Sequence, residues 1–223
     1  MINPYNPLDR INLGRSVAEA LLSQPATPLS ESSSLIGAGI YAIYYAGNFE
    51  PYRPLAAANN KGIFKQPIYV GKAVPKGARK GGLSFDASKG RALRDRLRQH
   101  ASSIAEVSNL ELSDFFFRSI VVDDIWIPLG ENVLIEEFQP VWNLVIDGFG
   151  NKDPGNRRAT QLRSLWDTLH PGRFFAEKLA DNHIEPITLE AKLAEYFAGK
   201  PVPLIPVEAA VDVGFAEDDE EED

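Results

Sequence analysis

The sequence predicts an α+β fold: a small three-stranded antiparallel sheet flanked by helices, with a helical arm before it and a helical extension after it. Two observations carry the prediction. Three short runs are dense in β-branched and aromatic residues: GAGIYAIYYAG (37–47), PIYVGKA (67–73) and FFFRSIVV (115–122). Runs of this length and composition read as strands, the first two bounded by Gly or Pro. Between and around them, apolar residues recur at three- and four-residue spacing, the period of one helix face.

Taken in order, residues 1–34 form the arm. Ile11, Val17, Leu21 and Leu22 give residues 12–22 an apolar helix face, and Pro25 stops it because the residue before a proline avoids helical angles. The arm is free to pack on the core or to reach a second subunit. The core spans 35–147. Its first two strands are separated by residues 48–66, too long for a simple hairpin loop, so this link is either functional or an inserted excursion. Residues 74–90 are rich in Gly and Lys and read as a mobile basic loop. A helix follows over 91–104, with Leu93, Leu97 and Ile104 as its buried edge; Arg96 and His100, four apart, share one face.

After the third strand, residues 125–138 read as a loop and a helix beginning near Pro128, a residue tolerated in a first turn. Glu131 falls in the opening turns. Pro140-Val141-Trp142-Asn143 ends that helix, and 144–146 reads as an extended segment. The extension, 148–207, opens on a turn-rich loop and predicts helices over 160–169, 173–181 and 188–197, the last with Thr188 as N-cap. His170 is read as a helix cap or stop. Residues 208–223 form an acidic tail expected to be disordered.

Composition narrows the function classes. No apolar stretch reaches the length of a membrane span, and the first residues lack the basic and apolar regions of a secretory signal. The chain has no cysteine, which excludes disulfides and thiolate zinc sites and makes a reducing cytoplasm the natural setting. His100, His170 and His183 are too scattered for a three-histidine zinc site. The formal charge is −8, but the acids at 217–223 account for seven of these, leaving the body near neutral. Between Lys72 and Arg98 stand nine bases and two acids. Such a stretch suits a phosphate backbone, although a solvated basic face is the ordinary alternative.

The tripeptides Gly39-Ile40-Tyr41 and Tyr69-Val70-Gly71, the Arg96-x-x-x-His100 helix, Glu131 and Asn143 resemble, in order, the signature of the GIY-YIG nuclease superfamily. The chain departs only in YVG for YIG, a change between β-branched residues. The resemblance covers residues 37–143. The GFGNKDPG segment at 148–155 and the helical region after it are similar to the type II restriction endonuclease branch. That resemblance implies sequence-specific, double-strand cutting of DNA by phosphodiester hydrolysis, and a companion DNA methyltransferase that protects host DNA.

The residue types suit that chemistry. Glu131 offers a hard carboxylate to one Mg²⁺ per active site, an ion that keeps several waters and binds through few protein ligands. With no second acid beside it, a one-metal mechanism follows. Arg96 clamps phosphate oxygens through its planar donor fork. Tyr41 is the candidate general base, and a phenol with an ordinary pKa of about 10 needs a neighbour that takes its proton, a role open to His100. Tyr69 orients the water, Lys72 lowers a phenol pKa or holds phosphate, and Asn143 supports the surroundings of Glu131. Lys76, Arg79, Lys80, Arg91 and Arg94 are candidate DNA contacts, as are Asn151, Lys152, Arg157 and Arg158, which could read bases in the major groove.

Each residue also has an ordinary reading: sheet tyrosines, a solvated Arg and His, a glutamate complementing a helix dipole. Five matches in order favour the functional one. A double-strand cut at a palindrome favours a two-fold homodimer, since one such site cuts one strand. The alternatives are a structure-specific nuclease on branched DNA and a catalytically silent DNA-binding protein of the same fold.

Overall fold

The computed structural model describes residues 6, 8–74, 88–155 and 161–201. Its centre is an antiparallel sheet in the order β1-β4-β2-β3, formed by β1 (Thr27–Pro28), β2 (Gly39–Tyr45), β3 (Pro67–Ala73) and β4 (Phe115–Val121). The three predicted strands are present, and the fold is α+β as expected, with one correction. A fourth strand, β1, adds two residues to the β4 edge, pairing Thr27 with Phe117 and Pro28 with Phe116. Two residues show no alternation, so nothing in the sequence marks them as a strand.

Successive strand residues face opposite sides of a sheet, and both sides are covered here. Tyr41, Ile43 and Tyr45 join one apolar cluster with Leu93, Leu97 and Ile104 of α3 (Ala92–Glu106). Ile40, Ala42 and Tyr44 join a second with Ala18 and Leu21 of α1 (Arg10–Leu22) and Ile127, Val133 and Leu134 of α4 (Ile127–Phe138). Burial on both faces explains why β2 is aromatic and apolar throughout rather than alternating. The arm packs at home: α1 lies on α4. The approach is close, because a Cβ on Gly14 would fall 2.5 Å from Val133 and one on Gly130 would fall 2.6 Å from Val17.

The link at 48–66 folds back onto the core. It contains α2 (Arg53–Asn59) and short 3₁₀ turns, buries Tyr52 and Leu55, and is tied down by Asn59. That buried amide donates to the Tyr45 and Gln66 carbonyls at 3.0 and 2.8 Å and accepts from the Gln66 N–H at 2.9 Å. Residues 144–146 are not extended: α5 (Val141–Leu144) continues into buried Val145 and Ile146. A short apolar run fits helix or strand equally well, and tertiary packing chose helix here.

Of the three helices expected after 148, the first is the five-residue α6 (Leu165–Leu169), and the second reduces to a 3₁₀ turn at Ala176–Lys178. The third is α7 (Pro186–Phe197), capped at Glu185 rather than Thr188. Pro186 begins it because a proline fits the first turn, where its missing N–H costs nothing. Trp166, Leu169, Leu189 and Leu193 share the α3-side cluster with the sheet. His170 caps the end of α6, as expected, and is also buried.

Candidate active site

Two glycines let the tripeptide strands come together. Gly39 lies against β4 so closely that an added Cβ would fall 1.9 Å from the Ile120 carbonyl oxygen. Gly71 is the cross-strand partner of Tyr41, and a Cβ there would fall 2.5 Å from the Tyr41 hydroxyl and 2.9 Å from the Tyr69 ring. The missing side chain is the space in which the Tyr41 phenol lies. Tyr41 and Tyr69 are diagonal neighbours on the α3 face, with ring centroids 6.3 Å apart. Tyr41 is wholly buried, while Tyr69 is half-buried at the sheet edge.

From α3, His100 meets Tyr41: the phenol oxygen and His100 Nε2 are 2.8 Å apart. Burial foremost, then the charges of Arg96 and Arg173, hold the His100 pKa well below its ordinary value. A neutral ring has one acceptor nitrogen, so in the tautomer protonated at Nδ1 the Tyr41 hydroxyl donates to Nε2. Burial foremost, then Tyr69, pushes the Tyr41 pKa well up, with Arg96 working against both. Tyr69 is raised by burial and drawn back by Arg96 in the same way. Arg96 is half-buried. It makes two long hydrogen bonds of 3.3 Å, Nη1 to the Gln99 side chain and Nη2 to the Gly150 carbonyl.

Lys72 alternates to the other face of β3, toward α4. There its ammonium donates to Glu131 Oε2 at 2.7 Å. Burial raises the Glu131 pKa, with Lys72 and then Arg96 opposing. Because Glu131 in turn raises both phenols, the two faces of the sheet meet electrostatically at the β3 edge. Asn143 clamps β3, accepting from the Val70 N–H and donating to the Val70 carbonyl, both at 2.8 Å, two residues before the Lys72 that holds Glu131. An edge strand has one unpaired row of backbone groups, and Asn143 satisfies two of them between Tyr69 and Gly71.

A cleft of about 240 Å³ opens beside the phenols, between α3 and residues 149–153, with Arg96, Gln99, Gly150, Asn151 and Lys152 among its lining. This brings Asn151 and Lys152 next to Arg96. Of the other expected DNA contacts, Arg91 is exposed at the start of α3, and Arg94 donates to neighbouring Asp95 at 2.8 Å. Lys76, Arg79, Lys80, Arg157 and Arg158 lie outside the described residues. Sequence reasoning missed Phe149, whose ring stacks on His100 at 4.4 Å and 16° and meets Tyr69 edge-on at 5.1 Å. Its one signal was a lone aromatic between two glycines.

A glycine-opened pair of antiparallel strands with two phenols, an arginine helix on one face and a glutamate helix on the other, define a GIY-YIG nuclease. Within that class the chain belongs to the family described as the Eco29kI GIY-YIG domain, a type II restriction endonuclease family, whose profile matches residues 33–197. No curated protein matches the chain. It is thus a nuclease domain with DNA as its partner. Among the described residues no helix is long and apolar enough to cross a membrane.

Proposed function

We propose that the protein is a Mg²⁺-dependent restriction endonuclease that cuts both strands of DNA at a specific sequence, acting as a homodimer alongside a protecting methyltransferase. The observation that carries this reading is the convergence at one sheet edge of a Tyr41–His100 hydrogen bond, the Arg96 guanidinium and the Glu131 carboxylate. A silent DNA-binding protein has no need of that combination.

Glu131 suits Mg²⁺. It is a partly desolvated carboxylate balanced by a single lysine, and an ion that keeps its waters and takes substrate oxygens needs few protein ligands. Among the described residues no group of three or more His, Cys, Asp or Glu competes for that role. When bound there, the ion supplies positive charge to the scissile phosphate and leaving oxygen. Everything else falls to the chain. Arg96 keeps Nη2 on the Gly150 carbonyl and exchanges Gln99 for phosphate oxygens, presenting its remaining N–H groups to the substrate. Tyr69, half-buried on the edge strand, orients the attacking water. Tyr41 takes the water's proton while passing its own to His100 Nε2. His100 resists protonation in the free protein, and DNA phosphates beside it lift its pKa toward the value a proton acceptor needs. Lys72, displaced from Glu131, is available to phosphate.

Plasmid digestion with Mg²⁺, followed by sequencing of the fragment ends, tests the reading. Discrete fragments ending at one short palindrome are expected, with Glu131→Gln slower by roughly 10³-fold or more. A protein that binds duplex but cuts neither plasmid nor branched DNA would contradict it.

A further inference from the structure

The Asp167–Arg173 ion pair lies wholly inside the protein, at 1% and 2% side-chain exposure for Arg173 and Asp167. Interior ion pairs are poor stabilisers compared with apolar residues of the same size, so this one invites a second purpose. Its geometry supplies one. All five guanidinium N–H groups have acceptors. Nε and Nη2 donate to the two Asp167 oxygens at 2.6 and 2.7 Å. Nη2 also donates to the Gly148 carbonyl at 2.9 Å, and Nη1 to those of Phe149 and Asn151 at 3.1 and 3.4 Å. The guanidinium is further fixed over the rings of Trp166 and Phe175, at 4.5 and 4.7 Å. Asp167 is anchored by the Ser164 hydroxyl at 2.7 Å.

Three of four consecutive carbonyls, at 148, 149 and 151, therefore point at one cation. The carbonyl left over is that of Gly150, which accepts from Arg96. Phe149, between the held carbonyls, stacks on His100 and abuts Tyr69. Gly150 has no room to spare: a Cβ would fall 2.9 Å from Arg96 Nη2 and 3.3 Å from the Tyr69 hydroxyl.

We propose that Arg173, oriented by Asp167, is a positioning residue for the nuclease site: it folds residues 148–151 so that Gly150 aims Arg96 and Phe149 braces His100. The inference rests on Arg96 being the phosphate clamp. Lysine at 173 keeps the charge toward Asp167 but cannot reach three carbonyls with a planar fork, so the loop shifts and the site loses registry.

The test compares Arg173→Lys, Gly150→Ala and the double variant in single-turnover cleavage at saturating Mg²⁺, on a duplex carrying the site read from wild-type fragment ends. Each single change is expected to slow cleavage roughly 10- to 100-fold, with DNA affinity within about twofold, because only the reacting geometry changes. Both displace the Arg96 guanidinium, Arg173→Lys through the Gly150 carbonyl and Gly150→Ala through a Cβ 2.9 Å from Nη2, so the double variant is no slower than the worse single one. Rates within twofold of wild type, or effects that multiply, overturn the proposal. If Arg173→Lys does not fold, Asp167→Asn, which loosens the same guanidinium, takes its place: slowed cleavage at unchanged DNA affinity supports the proposal and an unimpaired rate overturns it. A crystal structure of either variant decides the linkage even if the wild type cuts no DNA, an outcome that would sink only the nuclease reading. The Gly150 carbonyl and Arg96 guanidinium displaced together support the proposal; an unmoved guanidinium refutes it.

Discussion

The protein contains two tyrosine–histidine pairs built alike. Tyr41 meets His100 at 2.8 Å and Tyr52 meets His170 at 2.7 Å. All four side chains are buried, and in both pairs burial pushes the phenol up and the imidazole down. The partners differ. The Tyr52 hydroxyl also accepts from Trp142 Nε1 at 2.8 Å, and His170 Nδ1 faces the Asn109 side-chain oxygen at 2.9 Å. Every donor there has an acceptor and, among the described residues, no cation bonds the phenol, so the pair is a strut joining the turn just before α2, α5 and the end of α6. The Tyr41 pair has Arg96 pulling on it and lies behind the half-buried Tyr69, near Glu131. In the proposed mechanism, chemistry comes from the Arg96 charge beside the pair, not from the pair itself.

That difference can be broken from either side. Arg96→Lys keeps a positive charge but loses the fork, and cleavage should fall by roughly 10²- to 10³-fold. Asn109→Ala, which removes the outer partner of the other pair, should leave the single-turnover rate within about threefold of wild type. Equal losses in the two variants would erase the distinction.

Likeness between the pairs should surface in stability. His170 is held at a pKa of about 3, and His100 also lies well below its ordinary value, whereas both return to about 6.5 on unfolding. Below pH 6.5 the unfolded chain binds protons that the folded one refuses, so this contribution is complete above 6.5 and is lost as pH falls. The loss approaches about 1.4 kcal/mol per pH unit for each histidine. Urea midpoints between pH 6.5 and 5 should therefore fall less steeply for His170→Gln than for wild type. Parallel slopes would show that His170 is protonated in the fold.

A smaller effect is expected at Asn143. Replacing it with Ala frees the Val70 N–H and carbonyl of the edge strand and lets Tyr69 and Gly71 shift relative to Tyr41. Cleavage should fall roughly tenfold with little change in DNA affinity. A pure loss of affinity at unchanged rate would instead assign Asn143 to DNA contact.

Residues whose role depends on a local pattern were legible in the sequence. The tripeptides announce strands, and the i, i+4 spacing of Arg96 and His100 places both on one helix face. The strand β1 was not legible because two residues have no period, nor was α2, where a seven-residue helix buries only Leu55 and Asn59. Tyr52, His170, Asp167 and Arg173 were invisible as partners for another reason. Tyr52 and His170 are 118 residues apart, and a buried arginine in PGRFF looks like any surface base until the fold aims three carbonyls at it. Asn143 was legible as part of the site, but which backbone it faces was not.

The central claim is that Tyr41, and not its structural twin, carries the proton. Single-turnover cleavage of duplex DNA with Mg²⁺, comparing Tyr41→Phe with Tyr52→Phe, addresses it directly. The account predicts a loss of roughly 10²- to 10⁴-fold for Tyr41→Phe, along with about 1–3 kcal/mol less stability because His100 Nε2 is left unpaired. For Tyr52→Phe it predicts near-normal cleavage with about 1–3 kcal/mol less stability, because Trp142 Nε1 and His170 Nε2 are left unpaired. Near-normal cleavage by Tyr41→Phe would remove it as the base and contradict the account.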